Sequence, residues 1–323
     1  MSGLQVLLNL ARPRTVQDPL AAARQAMRDG VDGVGFADSP RLFPDPFLTA
    51  ASVLASTSAT LSGPCVVGLG LHHPSVVAQS CATLADRFPG RVLTVVARGE
   101  SSLANEGLRI PSLREYRALA QEFRGRLDDL RPRTGPVLGA GSGPRTIEAN
   151  AQALGGVLLD VGTSVGVVER ALAAARAARA DTACWLFVRG VVTTDDVQTR
   201  EAAAPILGSC AARLTRSPRW YEVADDMIGR VAAVAAKHDY RKHGTVEASA
   251  AQGADSYAEE LIRDRFMLTG RADEIVERLR PLAGAGIDGV VLAGATAGIE
   301  DRLAPTVSAV RAGLAHSARE MSG

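Results

Sequence analysis

The run Arg91-Val92-Leu93-Thr94-Val95-Val96-Ala97-Arg98-Gly99-Glu100-Ser101-Ser102 changes character within a few residues. Its first half, Val92 to Val96, is apolar and rich in β-branched side chains, as a strand buried on both faces of a parallel sheet requires. Its second half sets two opposite charges, a permissive glycine and two hydroxyls at the strand's carboxyl end. That is the end at which α/β sheets and barrels hold their ligands. A solvated turn closed by an Arg98 to Glu100 ion pair would account for the same residues, so the flanking sequence has to decide between the two.

Working outward, strands and helices alternate on both sides of this run. Upstream, the apolar stretches Leu4 to Leu10, Val34 to Ala37 and Cys65 to Leu69 read as strands. They are separated by helical patterning over Pro19 to Met27, Phe47 to Thr57 and Val76 to Arg87. Downstream, strands are expected at Val137 to Ala140, Val157 to Asp160, Ala183 to Val188 and Val290 to Ala293. Helices are expected over Leu113 to Leu127, Arg145 to Ala153, Val165 to Arg179 and Ile299 to Leu314. One phrase recurs at the junctions: Gly30-Val31-Asp32-Gly33-Val34, Gly286-Ile287-Asp288-Gly289-Val290 and, more faintly, Gly155-Gly156-Val157. Each reads as a helix ending on a glycine and turning at once into a strand, the signature of a repeated βα unit.

Eight such strands predict an α/β fold, a (β/α)8 TIM barrel, with an open doubly wound sheet as the runner-up. A single domain over residues 1–323 accommodates a barrel of about 250 residues plus insertions. Residues 193–265 break the rhythm with helical patterning and no clear strand. They are expected to be a helical insertion between strands seven and eight, lying over the carboxyl face.

A net charge of +1 argues against nucleic acid and acidic membrane as partners and favours a small molecule. Cys65, Cys81, Cys184 and Cys210 are too scattered for a zinc site or a disulfide framework, and no metal site is expected. No apolar run is long enough to span a bilayer, and no signal peptide is evident, so a cytoplasmic location is expected.

Three further motifs lie at strand exits. Gly139-Ala140-Gly141-Ser142-Gly143-Pro144 follows a strand and opens a helix, a setting suited either to cradling a phosphate or to a tight turn. Pro144 spoils both the dinucleotide fingerprint and the Walker A pattern. Val67-Gly68-Leu69-Gly70-Leu71-His72-His73-Pro74 carries adjacent histidines that point to opposite sides and chelate metal poorly, although one could donate a proton. Ala37-Asp38-Ser39-Pro40-Arg41-Leu42 would put Asp38 at a barrel mouth, or serve as helix-capping and turn residues.

In this order the motifs resemble those of the bacterial luciferase-like oxidoreductases, and within them the branch typified by methylenetetrahydromethanopterin reductase. The matching residues are Ala37 to Leu42, His72-His73-Pro74, Ala97-Arg98-Gly99-Glu100-Ser101, Ser142-Gly143-Pro144-Arg145 and Leu268 to Ile275. Relatives usually carry Thr-Asn-Pro where Gly68-Leu69-Gly70 stands here, and Arg where His72 stands. The resemblance implies coenzyme F420, or FMN as the alternative, bound at the carboxyl face. Its ring would lie against Val67, Gly68, Leu69 and Gly70, with Arg98 and Gly99 beside it. Its phosphate would meet Gly141, Ser142, Gly143, Asp160, Val161 and Gly162. Asp38, Ser39, Glu100 and Ser101 would flank the reactive edge, with Glu100, Asp38 or a histidine such as His73 supplying a proton.

The function implied is hydride transfer between the deazaflavin and an electrophilic C=C, C=N or C=O of a small organic or natural-product substrate. An FMN-dependent monooxygenase and a cofactor-free binding barrel are the alternatives. A homo-oligomer, most simply a dimer, is expected.

Overall fold

The computed structural model describes residues 4–11, 18–242 and 255–315. Its strands are β1 (Gln5–Leu10), β2 (Gly33–Phe36), β3 (Leu61–Gly68), β4 (Thr94–Ala97), β5 (Val137–Gly141), β6 (Gly156–Leu159), β7 (Ala183–Val192), β8 (Met267–Gly270) and β9 (Gly289–Ala293). Strands β1 to β7 pair in sequence order, and β9 lies between β7 and β1. All pairings are parallel, and the β6–β7, β7–β9 and β9–β1 ladders close an eight-stranded barrel. The open-sheet alternative is thereby excluded.

The barrel interior is filled from nearly every strand. Leu7, Leu61, Cys65, Leu93, Val95, Leu138, Leu158, Trp185 and Val291 form one buried cluster, the layered packing that makes such a barrel a core and not a pore. A larger apolar layer separates the strands from the surrounding helices. Alternation along β4 sorts its side chains accordingly: Leu93 and Val95 face inward, while Val96 faces Tyr116 and Phe123 of the helix Leu113–Leu130.

The repeated junction phrase has a physical explanation. Gly30 and Gly286 take φ of 97° and 78°, the left-handed turn that ends a helix before a strand. The aspartate two residues later then accepts the backbone N–H near the start of an adjacent strand. Asp32 Oδ2 accepts from Val6 at 2.8 Å, and Asp288 Oδ2 accepts from Cys184 at 2.7 Å. The phrase therefore fastens the amino-terminal rim of the barrel, opposite the end where ligands bind.

Between β7 and β9 lie the helices Asp196–Ala203, Leu207–Arg216, Asp225–Ala236 and Ser256–Phe266. Their buried residues, among them Ala202, Leu207, Leu214, Val231 and Ile262, belong to the same apolar layer as the barrel helices. Two local features go beyond the expected pattern. Met267–Gly270 is strand β8, paired with Arg189 to Val192, and the helix Ala272–Leu279 follows it directly. Strand β7 accordingly runs four residues beyond the expected Val188. A four-residue segment carries too little periodicity to declare itself; the free edge of the extended β7 makes it a strand. The loop after β4 also contains a short helix, Glu100–Asn105.

Candidate active site

A cavity of about 370 Å³ opens at the carboxyl ends of the barrel strands. That volume falls in the range of small-molecule sites, roughly 300–1,000 Å³. Every barrel strand contributes to its lining, through Asn9 (β1), Asp38 (after β2), Gly68 (β3), Arg98 (after β4), Gly141 (β5), Asp160 (after β6), Arg189 (β7) and Ala293 (β9).

The β2 and β3 exits form one polar wall. The Asp38 side chain is only 4% exposed. Its Oδ2 accepts the Gly68 N–H at 3.2 Å and stands 3.0 Å from His72 Nε2, while its backbone carbonyl accepts from Ser102 Oγ at 2.6 Å. The hydrogen bond to Asp38 raises the pKa of His72 above its ordinary value, against the opposing effect of burial; the charges of Asp38 and Asp45 act in the same upward direction. Ser39, beside Asp38, turns the chain through its carbonyl, which accepts from Leu42 and Phe43. Its hydroxyl is buried and has no partner among the described residues, and the same is true of Asn9 Oδ1. Both residues line the cavity.

On β3 the peptide bond between Cys65 and Val66 is cis, and the register with β4 shifts between Cys65 and Val67. Gly68 lies against Gly99, and a Cβ on either would come within about 3.1 Å of the other's backbone. These two glycines form a floor without side chains.

The opposite wall is cationic. Asp160 is paired with Arg189 and with Arg213, whose Nη2 lies 2.6 Å from its Oδ2. Burial pushes the Asp160 carboxyl up, but the two guanidinium charges and their hydrogen bonds outweigh it and hold the carboxyl below the usual range. Arg189 also stacks over Phe187, 4.8 Å from the ring centroid. Glu100 is bridged by Arg98 at 3.2 Å and by Arg216 from the helix Leu207–Arg216. Arg98 in turn donates to the Pro111 carbonyl at 2.8 and 3.1 Å. The lining thus holds four arginines (98, 189, 213 and 216) and three carboxylates (38, 100 and 160), a small excess of positive charge.

Of the residues singled out from the sequence, Asp38, Ser39, Gly68, Arg98, Gly99, Glu100, Ser101, Gly141, Ser142 and Asp160 come together around the cavity. The others do not line it. His73 is exposed and its ring nitrogen caps the helix Pro74–Arg87 by accepting from Ser75. Val67 and Leu69 point outward into the apolar layer: Cys65 still faces the barrel interior, and the register shift between Cys65 and Val67 reverses the facing of the residues that follow. Gly70 is packed against Leu103 and Pro111, and Gly162 against the Arg265 carbonyl. Val161 is buried in the outer layer, and Gly143 precedes the helix Pro144–Leu154 outside the lining.

Sequence reasoning missed Asn9, Arg189, Arg213, Arg216 and Tyr240. Asn9 and Arg189 carried a faint signal, a lone polar residue within or at the end of an apolar strand. Arg213 and Arg216 share a helical face by their spacing, but their partners are remote in sequence.

Among the described residues there is no cluster of metal-binding side chains, and no helix is long and apolar enough to cross a membrane. All four cysteines are free and buried.

A parallel (β/α)8 barrel whose carboxyl-end cavity mixes apolar surface with charged side chains defines a broad class of small-molecule enzymes. The chain belongs to the luciferase-like monooxygenase family, whose model matches residues 6–289. No curated protein matches it in sequence. Solved structures share its fold at low identity. An F420-dependent secondary alcohol dehydrogenase in complex with an F420-acetone adduct is 17% identical, with a TM-score of 0.68 over 96% of this chain and 99% of its own. The coenzyme F420-dependent tetrahydromethanopterin reductase from Methanopyrus kandleri is 14% identical, with a TM-score of 0.68 over 98% and 99%. An EDTA monooxygenase from Chelativorans sp. BNC1 is 16% identical, with a TM-score of 0.63 over 96% and 93%. Enzymes named as F420-dependent and a monooxygenase thus share this fold, and by its family the chain is a luciferase-like oxidoreductase.

Proposed function

We infer that the chain is an F420-dependent oxidoreductase acting on an electrophilic C=C, C=N or C=O of a small organic or natural-product substrate. The observation that carries this reading is the buried Asp38 carboxyl in the cavity wall, beside a side-chain-free floor of Gly68 and Gly99.

The residues present fit such a cofactor. A planar ring can approach the glycine floor closely, and the unpartnered Asn9 Oδ1 and Ser39 Oγ need polar groups from a ligand. The helix Pro144–Leu154 has neither a side-chain cap nor an acidic first turn, and Ser142 and Thr146 at its start line the cavity. With Arg213 and Arg216 nearby, that corner suits a phosphate. When bound, the deazaflavin supplies or accepts the hydride. Asp38 then holds the proton that balances it, the cationic wall anchors the anionic part of the ligand, and the closed floor keeps water from the reacting atoms. Glu100, bridged to Arg98 and Arg216, ties the β4 exit to the helix Leu207–Arg216; of the expected insertion 193–265, residues 243–254 lie outside the described residues, and we assign its described helices as the cover that selects the substrate.

The deciding experiment is fluorescence titration of the purified protein with F420 and, separately, with FMN. Tight F420 binding with little FMN binding supports hydride transfer. Preference for FMN, with oxygen consumed on reduction, turns the reading to monooxygenation. Binding of neither leaves a barrel without redox chemistry.

A further inference from the structure

We propose that His72 is a positioning residue for Asp38, and that the two share one proton at the cavity wall. The proposal rests on the oxidoreductase reading for its use in catalysis, while the pairing itself stands on geometry. His72 is not part of the cavity lining; it reaches Asp38 from outside the cavity, with its Nε2 at 3.0 Å from Oδ2. The two side chains differ sharply in access to water, 32% exposed for His72 against 4% for Asp38. The imidazole is therefore the solvent-facing end of the pair, and the carboxyl is the ligand-facing end.

Two contacts hold that carboxyl in place, and a third fixes the backbone that carries it. The Gly68 N–H and His72 Nε2 both meet Oδ2, while Ser102 Oγ donates to the Asp38 backbone carbonyl. His72 is itself placed by the turn after β3, where its N–H and that of Leu71 both donate to the Gly68 carbonyl. The Gly68 peptide thus orients both members of the pair. The acidic groups facing the imidazole are Asp38 after β2 and Asp45 at the start of the helix Pro46–Ser56. Both favour its protonated form.

The proton balance is simple. Nε2–H breaks and O–H forms at Asp38 Oδ2; Asp38 passes that proton to the substrate anion left by hydride addition. The neutral imidazole then regains a proton from water, and no electrons are transferred within the pair. An arginine at this position would keep the charge and the hydrogen bond but would not release the proton near neutral pH. His72 makes the wall of this chain a proton carrier as well as an ion pair.

The test reads both ends of the pair in the protein without added ligand. In ¹⁵N-histidine NMR, the resonance lost in His72→Gln is expected to titrate above the ordinary 6.5, and Asp38→Asn is expected to move it downward. Should Asp38→Asn fail to fold, ¹³C-carboxyl NMR of Asp38 reads the same coupling from the other side, because His72→Gln removes the inflection that the histidine imposes on it. A His72 that titrates at its ordinary value, or a pair of resonances each blind to the other's substitution, overturns the proposal. F420 and FMN titration of the same samples keeps the two readings apart. Loss of all cofactor binding with the NMR coupling intact would sink the oxidoreductase function and leave the pair standing.

Discussion

Arg213 Nη2 lies 2.6 Å from Asp160 Oδ2 and, with Arg189 on the other carboxylate oxygen, joins the helix Leu207–Arg216 to the exit of β6. A segment far along the chain is thereby fastened to the barrel mouth by a carboxylate that is largely out of water. Removing one member leaves buried charge without its counterion, which costs about 3–5 kcal/mol.

Asp160→Asn is therefore expected to lower stability by about 3–5 kcal/mol in chemical denaturation. The sign of the pH effect follows from the folded carboxyl being held below its unfolded value. The stabilisation is present above the unfolded value, roughly pH 4, and is lost as pH falls through the lower folded value. Wild-type protein should lose stability in acid more steeply than the variant; equal slopes would rule out this pair as the source.

His72 has the opposite sign. Its folded pKa is raised, so the stabilisation from its protonated form is complete below the unfolded value of 6.5 and fades as pH rises through the folded value. His72→Gln should flatten that stretch of the stability profile. In cofactor-loaded protein, His72→Arg should lower kcat by about tenfold or more, while KM changes little and the basic limb of the pH profile is displaced. Wild-type kcat with an unmoved limb would reduce His72 to a structural contact.

Glu100→Gln should leave the fold nearly untouched, by less than about 1 kcal/mol, because both of its arginine partners are partly solvated. Turnover should nevertheless fall, since the bridge from the β4 exit to Arg216 is lost. Unchanged turnover in a folded variant would remove Glu100 from the mechanism.

Asn9→Leu removes a buried acceptor that has no partner among the described residues. Thermal unfolding should show equal or higher stability, while cofactor or substrate affinity weakens. A destabilised variant with intact ligand binding would place the amide's role in the fold.

The thiols should be inert. Burial pushes Cys65 and Cys81 up to about 12, and Cys184 up to about 11, so little thiolate exists near neutrality. Ellman's reagent should find no fast-reacting thiol in native protein and four after denaturation; a fast native reaction would show that the barrel core opens.

The recurrent glycine-aspartate phrase and the two-sided apolar runs made the barrel legible, because both report local geometry. A left-handed turn needs glycine wherever it occurs, and a strand covered on both faces needs apolar residues throughout. The strand-exit motifs were legible for the same reason, since parallel connectivity sends every barrel-strand exit to one end.

What the chain alone could not disclose was direction and partnership. His72 and His73 are neighbours of identical chemistry, yet one meets Asp38 and the other caps a helix, because successive residues diverge. Val67 and Leu69 were set against a ring by motif, but the register shift after Cys65 turns them to the outer layer. Arg213 and Arg216 looked like ordinary helix charges until the fold carried them to Asp160 and Glu100. Strand β8 took its form from the edge of β7. Local sequence determined the barrel and the position of its exits, since both depend on backbone geometry and burial within a few residues. Tertiary structure decided which side chains meet in the cavity, because those contacts join residues tens to more than a hundred positions apart, and local pattern holds no record of them.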